Sequence, residues 1–223
     1  MKHFSFVSAL CFLIFLSFNT QGQDKEADRI DAASSVLQEF SNMKEDIPAE
    51  LFRITEGIII VPKMINAGFV LAGKRGRGIA MIKSEDGSWS NPVFVTITGG
   101  SVGFQAGIQS VDLVLAFKSA HTLHEIGNGS FTLGGDISVA AGPVGRSSSA
   151  STDYKMEAEV YSYSKSKGLF AGISLSGSAI SIDAKANENF YGADDDAQTL
   201  FASPEHNAPP VLKVKSILQQ MFQ

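Results

Sequence analysis

Cysteine is almost absent: Cys11 is the only one in 223 residues, and it lies inside an apolar N-terminal run. Without that run no thiol remains, which excludes disulfides, thiolate metal sites and thiol catalysis. Nucleophile and nucleotide motifs are missing too. There is no GxSxG elbow, no GxxxxGKS/T loop and no complete GxGxxG, because Met81 stands where Gly76-Arg77-Gly78 would need a third glycine. A basic excess is also lacking: the net charge of −5 argues against bulk nucleic-acid binding. After the N-terminal run no apolar stretch is long enough to span a bilayer.

That first stretch, Met1–Gly22, carries Lys2, then the apolar run Phe4–Phe18, then small residues at Thr20 and Gly22. It reads as a secretory signal peptide, the other reading being an uncleaved or lipidated anchor. Removing it shifts the net charge from −5 to −6, since Lys2 is its only charged residue. Export across the inner membrane and a periplasmic or extracellular location are therefore expected. The remainder divides into one domain over residues 23–195, with an N-terminal helix, and a linker with a C-terminal helix over 196–223.

The centre of the pattern is Pro92–Lys118. Val93, Val95 and Ile97 alternate with Phe94, Thr96 and Thr98, and Val111–Phe117 is nearly all apolar, as in a strand buried on both faces. Further strands are expected at Ile58–Val61, Ala67–Ala72, Ile79–Lys83, Ile137–Ala141, Met156–Tyr163, Gly168–Ser176 and Ala179–Ile182, with an Asp86-Gly87 hairpin signal. Apolar residues at Ala27, Ile30, Ala33, Leu37, Phe40 and Met43 mark one face of a helix within Asp24–Glu50. Shorter helices are expected at Ser119–Ile126, Asp183–Tyr191 and Val211–Phe222. The fold class is thus α+β: a mainly antiparallel, curled or barrel-like sheet with an N-terminal amphipathic helix and small peripheral helices.

Chemistry-bearing residues are few. His121 and His124 lie three apart beside Glu125, without a third metal ligand in view. Asp194–Asp196 lacks the alternating oxygens of a calcium loop and reads as an acidic cap. Ser147–Ser149 and Ser151-Thr152-Asp153 have no base nearby in sequence. No metal, cofactor or catalytic residue is expected, and a histidine-dependent hydrolase is the weakest reading. The most suggestive feature is Lys74-Arg75-Gly76-Arg77-Gly78, read as a glycine-flanked cationic loop able to bind an anion, with Lys63 and Lys83 in support. Three cations contribute about 3 kcal/mol at an anionic bilayer, so lipid binding needs a second, apolar element.

Ordered motifs then carry a resemblance. They include Ile58–Pro62, Gly87-Ser88-Trp89-Ser90-Asn91-Pro92, Thr98–Gly107, Gln109-Ser110-Val111-Asp112, Gly134-Gly135-Asp136, Ala140–Arg146, Ser151-Thr152-Asp153, Tyr161–Ser164, Lys167–Gly172 and Asn189-Phe190-Tyr191-Gly192. Over about Ile30 to Gly192 the chain resembles the SYLF-domain family, in its secreted bacterial type. The resemblance implies a non-enzymatic module that binds anionic phospholipid or phosphoinositide at a membrane surface. It brings no catalytic residues. Actin, a partner of some eukaryotic members, is an unlikely partner for an exported protein. The alternative is a structural or protein-interaction domain in the cell envelope without lipid binding.

Overall fold

The computed structural model describes residues 4–42, 47–68, 71–102, 107–142, 157–167, 169–170, 173–192 and 195–222. Two helices lead: α1 (Phe4–Ser41) and α2 (Ala49–Ile54), the latter entered through Pro48, whose fixed φ suits a helix start. Four long strands follow: β1 (Gly57–Gly68), β2 (Leu71–Ile82), β3 (Val93–Val102) and β4 (Gly107–Phe117). Next come α3 (Ala120–His124) with a 3-10 turn at Glu125–Asn128, and strands β5 (Phe131–Leu133), β6 (Val139–Ala141), β7 (Val160–Ser166), β8 (Leu169–Phe170) and β9 (Ser178–Ile182). Helices α4 (Ala184–Tyr191), α5 (Ala197–Ala202) and α6 (Pro209–Met221) close the chain.

The strands form one sheet in the order β5-β9-β3-β2-β1-β4-β7-β6, with β8 pairing β7. All pairings are antiparallel except β6 with β7. The two outermost strands, β5 and β6, are consecutive in the chain, and a parallel bridge from Leu133 to Ile137 joins their ends. The sheet therefore curls into a nearly closed barrel, as the α+β reading expects. Curvature has a local source in a β1 bulge between Val61 and Met64, where Pro62 needs no ladder donor and Lys63 takes φ 49°.

Both faces are buried where helices cover the sheet. Inside lie Ile59, Val61, Val95, Leu113, Leu115 and Phe117, covered at one end by Leu123, Ile126 and Phe201. Outside, Ile58, Ile60, Met81, Phe94 and Val114 lie under α1 and α6, which bring Ile30, Leu37, Phe40, Val211, Val214 and Leu218. Burial on both sides explains why Ile58–Val61 and Leu113–Phe117 are continuous apolar runs rather than alternating ones. The helix periodicities at Ile30–Phe40 and Val211–Met221 are the same fact read from the helix side. Met43 lies outside the described residues.

Several boundaries differ from the sequence expectation. Ala67–Ala72 is not a strand of its own: β1 ends at Gly68 and β2 begins at Leu71. Gly73–Gly78, expected as a loop, is the middle of β2. Of Gly168–Ser176 only Leu169–Phe170 is a described strand, and β7 begins at Val160, while the expected start at Met156 lies outside the described residues. The Gly103–Ala106 segment and most of Gly142–Asp153 lie outside the described residues. The expected acidic cap is realised by Asp196, whose Oδ1 accepts from Thr199 N–H at 2.7 Å.

Candidate functional site

Because β2 is a strand, its side chains alternate between faces. Lys74, Gly76 and Gly78 point inward, whereas Gly73, Arg75 and Arg77 point outward. The three cations expected on one loop are therefore split. Lys74 is 5% exposed, and its Nζ donates to the carbonyl oxygen of Ser174. Burial alone pulls the Lys74 pKa below the ordinary lysine value.

Gly76 and Gly78 serve close packing, not turn flexibility. A Cβ on Gly76 would sit 2.4 Å from Val61 Cγ1, and one on Gly78 would sit 2.0 Å from the Ile60 carbonyl oxygen. The barrel interior at this level is thus filled, and an acyl chain finds no room beside Gly76.

Outward, Arg75 stands opposite Ile65 of β1 and Thr98 of β3, and Arg77 opposite Thr96. Arg75 and Arg77 are exposed, and neither is within ion-pair distance of a described carboxylate, although Arg77 is close enough to Glu26 of α1 to pull its pKa down. Ile65 is 42% exposed and Ile108, on neighbouring β4, is 81% exposed. Ala67 and Ile108 are register partners, so both isoleucines share the outer face with Arg75. Lys63 is exposed at the bulge two residues before Ile65, where its own N–H donates to Asp112 Oδ1 at 2.9 Å. Lys83 lies elsewhere: it is nine positions beyond Lys74, about 30 Å along a strand, with its Nζ 3.4 Å from the Phe222 carbonyl oxygen. The structure thus places Arg75, Arg77 and Lys63 on the exposed outer side with two exposed isoleucines, Arg75 directly opposite Ile65, and separates Lys74 and Lys83 from them. Sequence reading missed the isoleucines, because no local pattern marks Ile65 or Ile108 as uncovered.

Where the outer face meets α1, Arg29 organises a buried charge cluster. Its Nη1 donates to Asp183 Oδ2 at 3.0 Å, its Nη2 lies 2.9 Å from Glu26 Oε2, and its guanidinium covers the Phe94 ring at 5.1 Å. Glu26 is buried and its Oε2 lacks an aligned donor. Burial raises its pKa, with Arg29 opposing and Asp183 adding to the rise.

The histidines do not converge. His121 is exposed, 3.5 Å from Glu125, and His124 turns its ring edge to Phe201 at 5.6 Å between centroids. No group of three metal-ligating side chains forms among the described residues.

Comparison with known proteins fits this architecture. A family model described as "Ysc84: Las17-binding protein actin regulator" matches residues 98–221, more than half of the chain. The chain belongs to the Ysc84, or SYLF-domain, family. It is 32% identical over 202 residues to LAS seventeen-binding protein 3 of Saccharomyces cerevisiae, covering 89% of this chain and 44% of that protein. It is 36% identical over 167 residues to Protein YSC84 of the same yeast, covering 74% and 35%. With SH3 domain-containing YSC84-like protein 1 of Xenopus laevis it shares 35% identity over 170 residues, covering 73% and 50%. The chain thus spans half or less of the length of these relatives. The Ysc84 match includes β4, β7, β9 and α6, whereas Arg75 and Arg77 precede the matched segment. The family description is of a binding protein and regulator, and it names no reaction.

Proposed function

We propose that this Ysc84-family chain is a non-enzymatic module that docks on anionic membrane surfaces through the outer face of β1, β2 and β4. The carrying observation is that Arg75, opposite Ile65 and on the same face as the 81%-exposed Ile108, combines cation and apolar surface on one side of the sheet. Two arginines contribute about 2 kcal/mol at an anionic bilayer. Burying a largely exposed isoleucine adds about 1–2 kcal/mol. Neither suffices alone, and together they give a reversible peripheral attachment. The filled interior supports surface docking over extraction of a lipid into the barrel.

A protein partner is the second reading. It draws on the words "Las17-binding protein actin regulator" in the family description, which also leave the expectation that actin is an unlikely partner without support. Secretion through Met1–Gly22 remains part of the proposal, and N-terminal sequencing of the exported protein tests it.

The docking reading is tested by vesicle co-flotation of the chain from Gln23, because the apolar Met1–Gly22 would float by itself. Binding is expected on anionic vesicles at about 0.05 M salt, weak at about 0.5 M, and absent on neutral vesicles. Absence from both vesicle types, with a protein partner captured at the same face, favours the second reading.

A further inference from the structure

We propose that Asn66, Lys74 and Ser178 form a second site, at the inner rim of the barrel, that takes one anionic oxygen group, a carboxylate or a phosphate. The site lies on the opposite face of β2 from the docking patch and stands whether or not that patch meets a membrane.

The sheet register builds it. Lys74 is the partner of Asn66 on β1 and of Gly99 on β3, and Gly99 is in turn the partner of Ser178 on β9. Register partners share a face, so the three side chains stand in one row across the inner surface, with Gly99 as the gap. A Cβ on Gly99 would lie 2.6 Å from Ser178 Oγ, so the hydroxyl lies over that glycine.

Each member of the row is incompletely satisfied. The Lys74 ammonium has three donors, and among the described residues its one hydrogen bond goes to the Ser174 carbonyl oxygen. It forms no ion pair with a described carboxylate, and burial is the only influence on its pKa. Ser178 is 1% exposed and its Oγ has no hydrogen-bond partner among the described residues, and the same holds for the buried Oδ1 of Asn66. Buried polar atoms without partners are rare, and a buried cation without a counter-ion is costlier still.

An anion resolves all three at once. It pairs with the ammonium and accepts from the Ser178 hydroxyl. It also accepts from Asn66 after a half-turn of the amide that exchanges Oδ1 with Nδ2. The next inward residue, Gly76, is closed off by Val61, Met64 and Ile97. The site therefore accepts a terminal group only, and any attached chain stays outside the barrel.

The test is thermal unfolding of the full chain at fixed ionic strength with inorganic phosphate, acetate or monomeric dihexanoyl phosphatidate. At a hundredfold excess over Kd, the fitting anion raises Tm by roughly 5–10 °C. Response to phosphate and phosphatidate alike marks a free-anion site. Response to phosphatidate alone marks a lipid headgroup, and response to acetate alone marks a carboxylate site. Lys74→Met and Ser178→Ala are expected to remove or reduce the shift. Asn66→Asp, which supplies an internal counter-ion, is expected to raise Tm without added anion and to abolish the response. An equal shift in Lys74→Met, an undiminished response in Asn66→Asp, or no response of the wild type to any of the three anions overturns the site.

Discussion

Lys74 and Arg75 are neighbours in the chain but face opposite sides of β2, Lys74 opposite Asn66 within the barrel and Arg75 opposite Ile65 on its outer surface. One inward amine is buried, and one outward guanidinium is free of ion pairs with described residues. A motif that looks like a single cationic cluster therefore serves two environments. The outer one has apolar neighbours suited to a bilayer, and the inner one has unpaired polar atoms.

The glycines of the same strand separate packing from flexibility. Gly78→Ala places a methyl 2.0 Å from the Ile60 carbonyl oxygen, a backbone atom that cannot swing aside. The expected cost is about 3 kcal/mol or more, seen as a large loss of Tm or of soluble protein. Gly73→Ala meets nothing within 4 Å, and it is expected to be neutral or stabilising by roughly 0.5 kcal/mol. Equal effects of the two substitutions in denaturant unfolding would contradict this account of β2.

Asn187 acts as a strand partner where β9 has ended. The β3–β9 ladder stops at Val95 and Ile182. At Phe94 the carbonyl oxygen still accepts from Asp183 N–H at 2.9 Å, and the side chain of Asn187 completes the pairing: Oδ1 accepts from Phe94 N–H at 2.9 Å, and Nδ2 donates to Phe94 O at 3.1 Å. Asn187→Ala orphans a buried backbone N–H and is expected to cost about 2 kcal/mol. For a chain of this length that lowers Tm by roughly 4–8 °C. An unchanged Tm would show that the clamp is dispensable.

Glu26 gives the fold a pH dependence of defined sign. Burial raises its folded-state pKa above the unfolded value of 4.5, despite Arg29, Arg77 and Lys25, and with Asp183 adding to the rise. The folded state therefore holds the proton more tightly than the unfolded state. Its contribution to stability is fully present below pH 4.5 and declines as pH rises through the folded value. Glu26→Gln removes this term, so the variant is expected to gain on the wild type as pH rises above 4.5. Urea unfolding across that range checks it, and a difference constant with pH would reject the assignment.

Much of this was legible in the sequence. Val93–Thr98 alternates because β3 packs inward on the barrel and outward on helices, and Val211–Met221 repeats at helical spacing because α6 covers the outer core. The Gly73–Gly78 segment was not legible as a strand. Its glycines and cations are turn-forming in isolation, and only the close approach of Ile60 and Val61 explains why glycine is needed there. Tertiary contact overrode local preference. The exposure of Ile65 and Ile108 was also hidden. Which apolar residues remain uncovered depends on where α1 and α6 lie, and no local pattern records that.

The most direct test of the docking face is co-flotation of three variants from Gln23 with anionic vesicles at low salt. Arg75→Glu with Arg77→Glu reverses the charge, Ile65→Ser with Ile108→Ser removes the apolar anchors, and Lys74→Met alters only the inner face. The first two are expected to lose binding by at least tenfold, about 1.4 kcal/mol, while on phosphatidylglycerol vesicles free of phosphatidate Lys74→Met floats like the wild type. Undiminished flotation of the Arg75/Arg77 and Ile65/Ile108 variants would contradict the proposed surface.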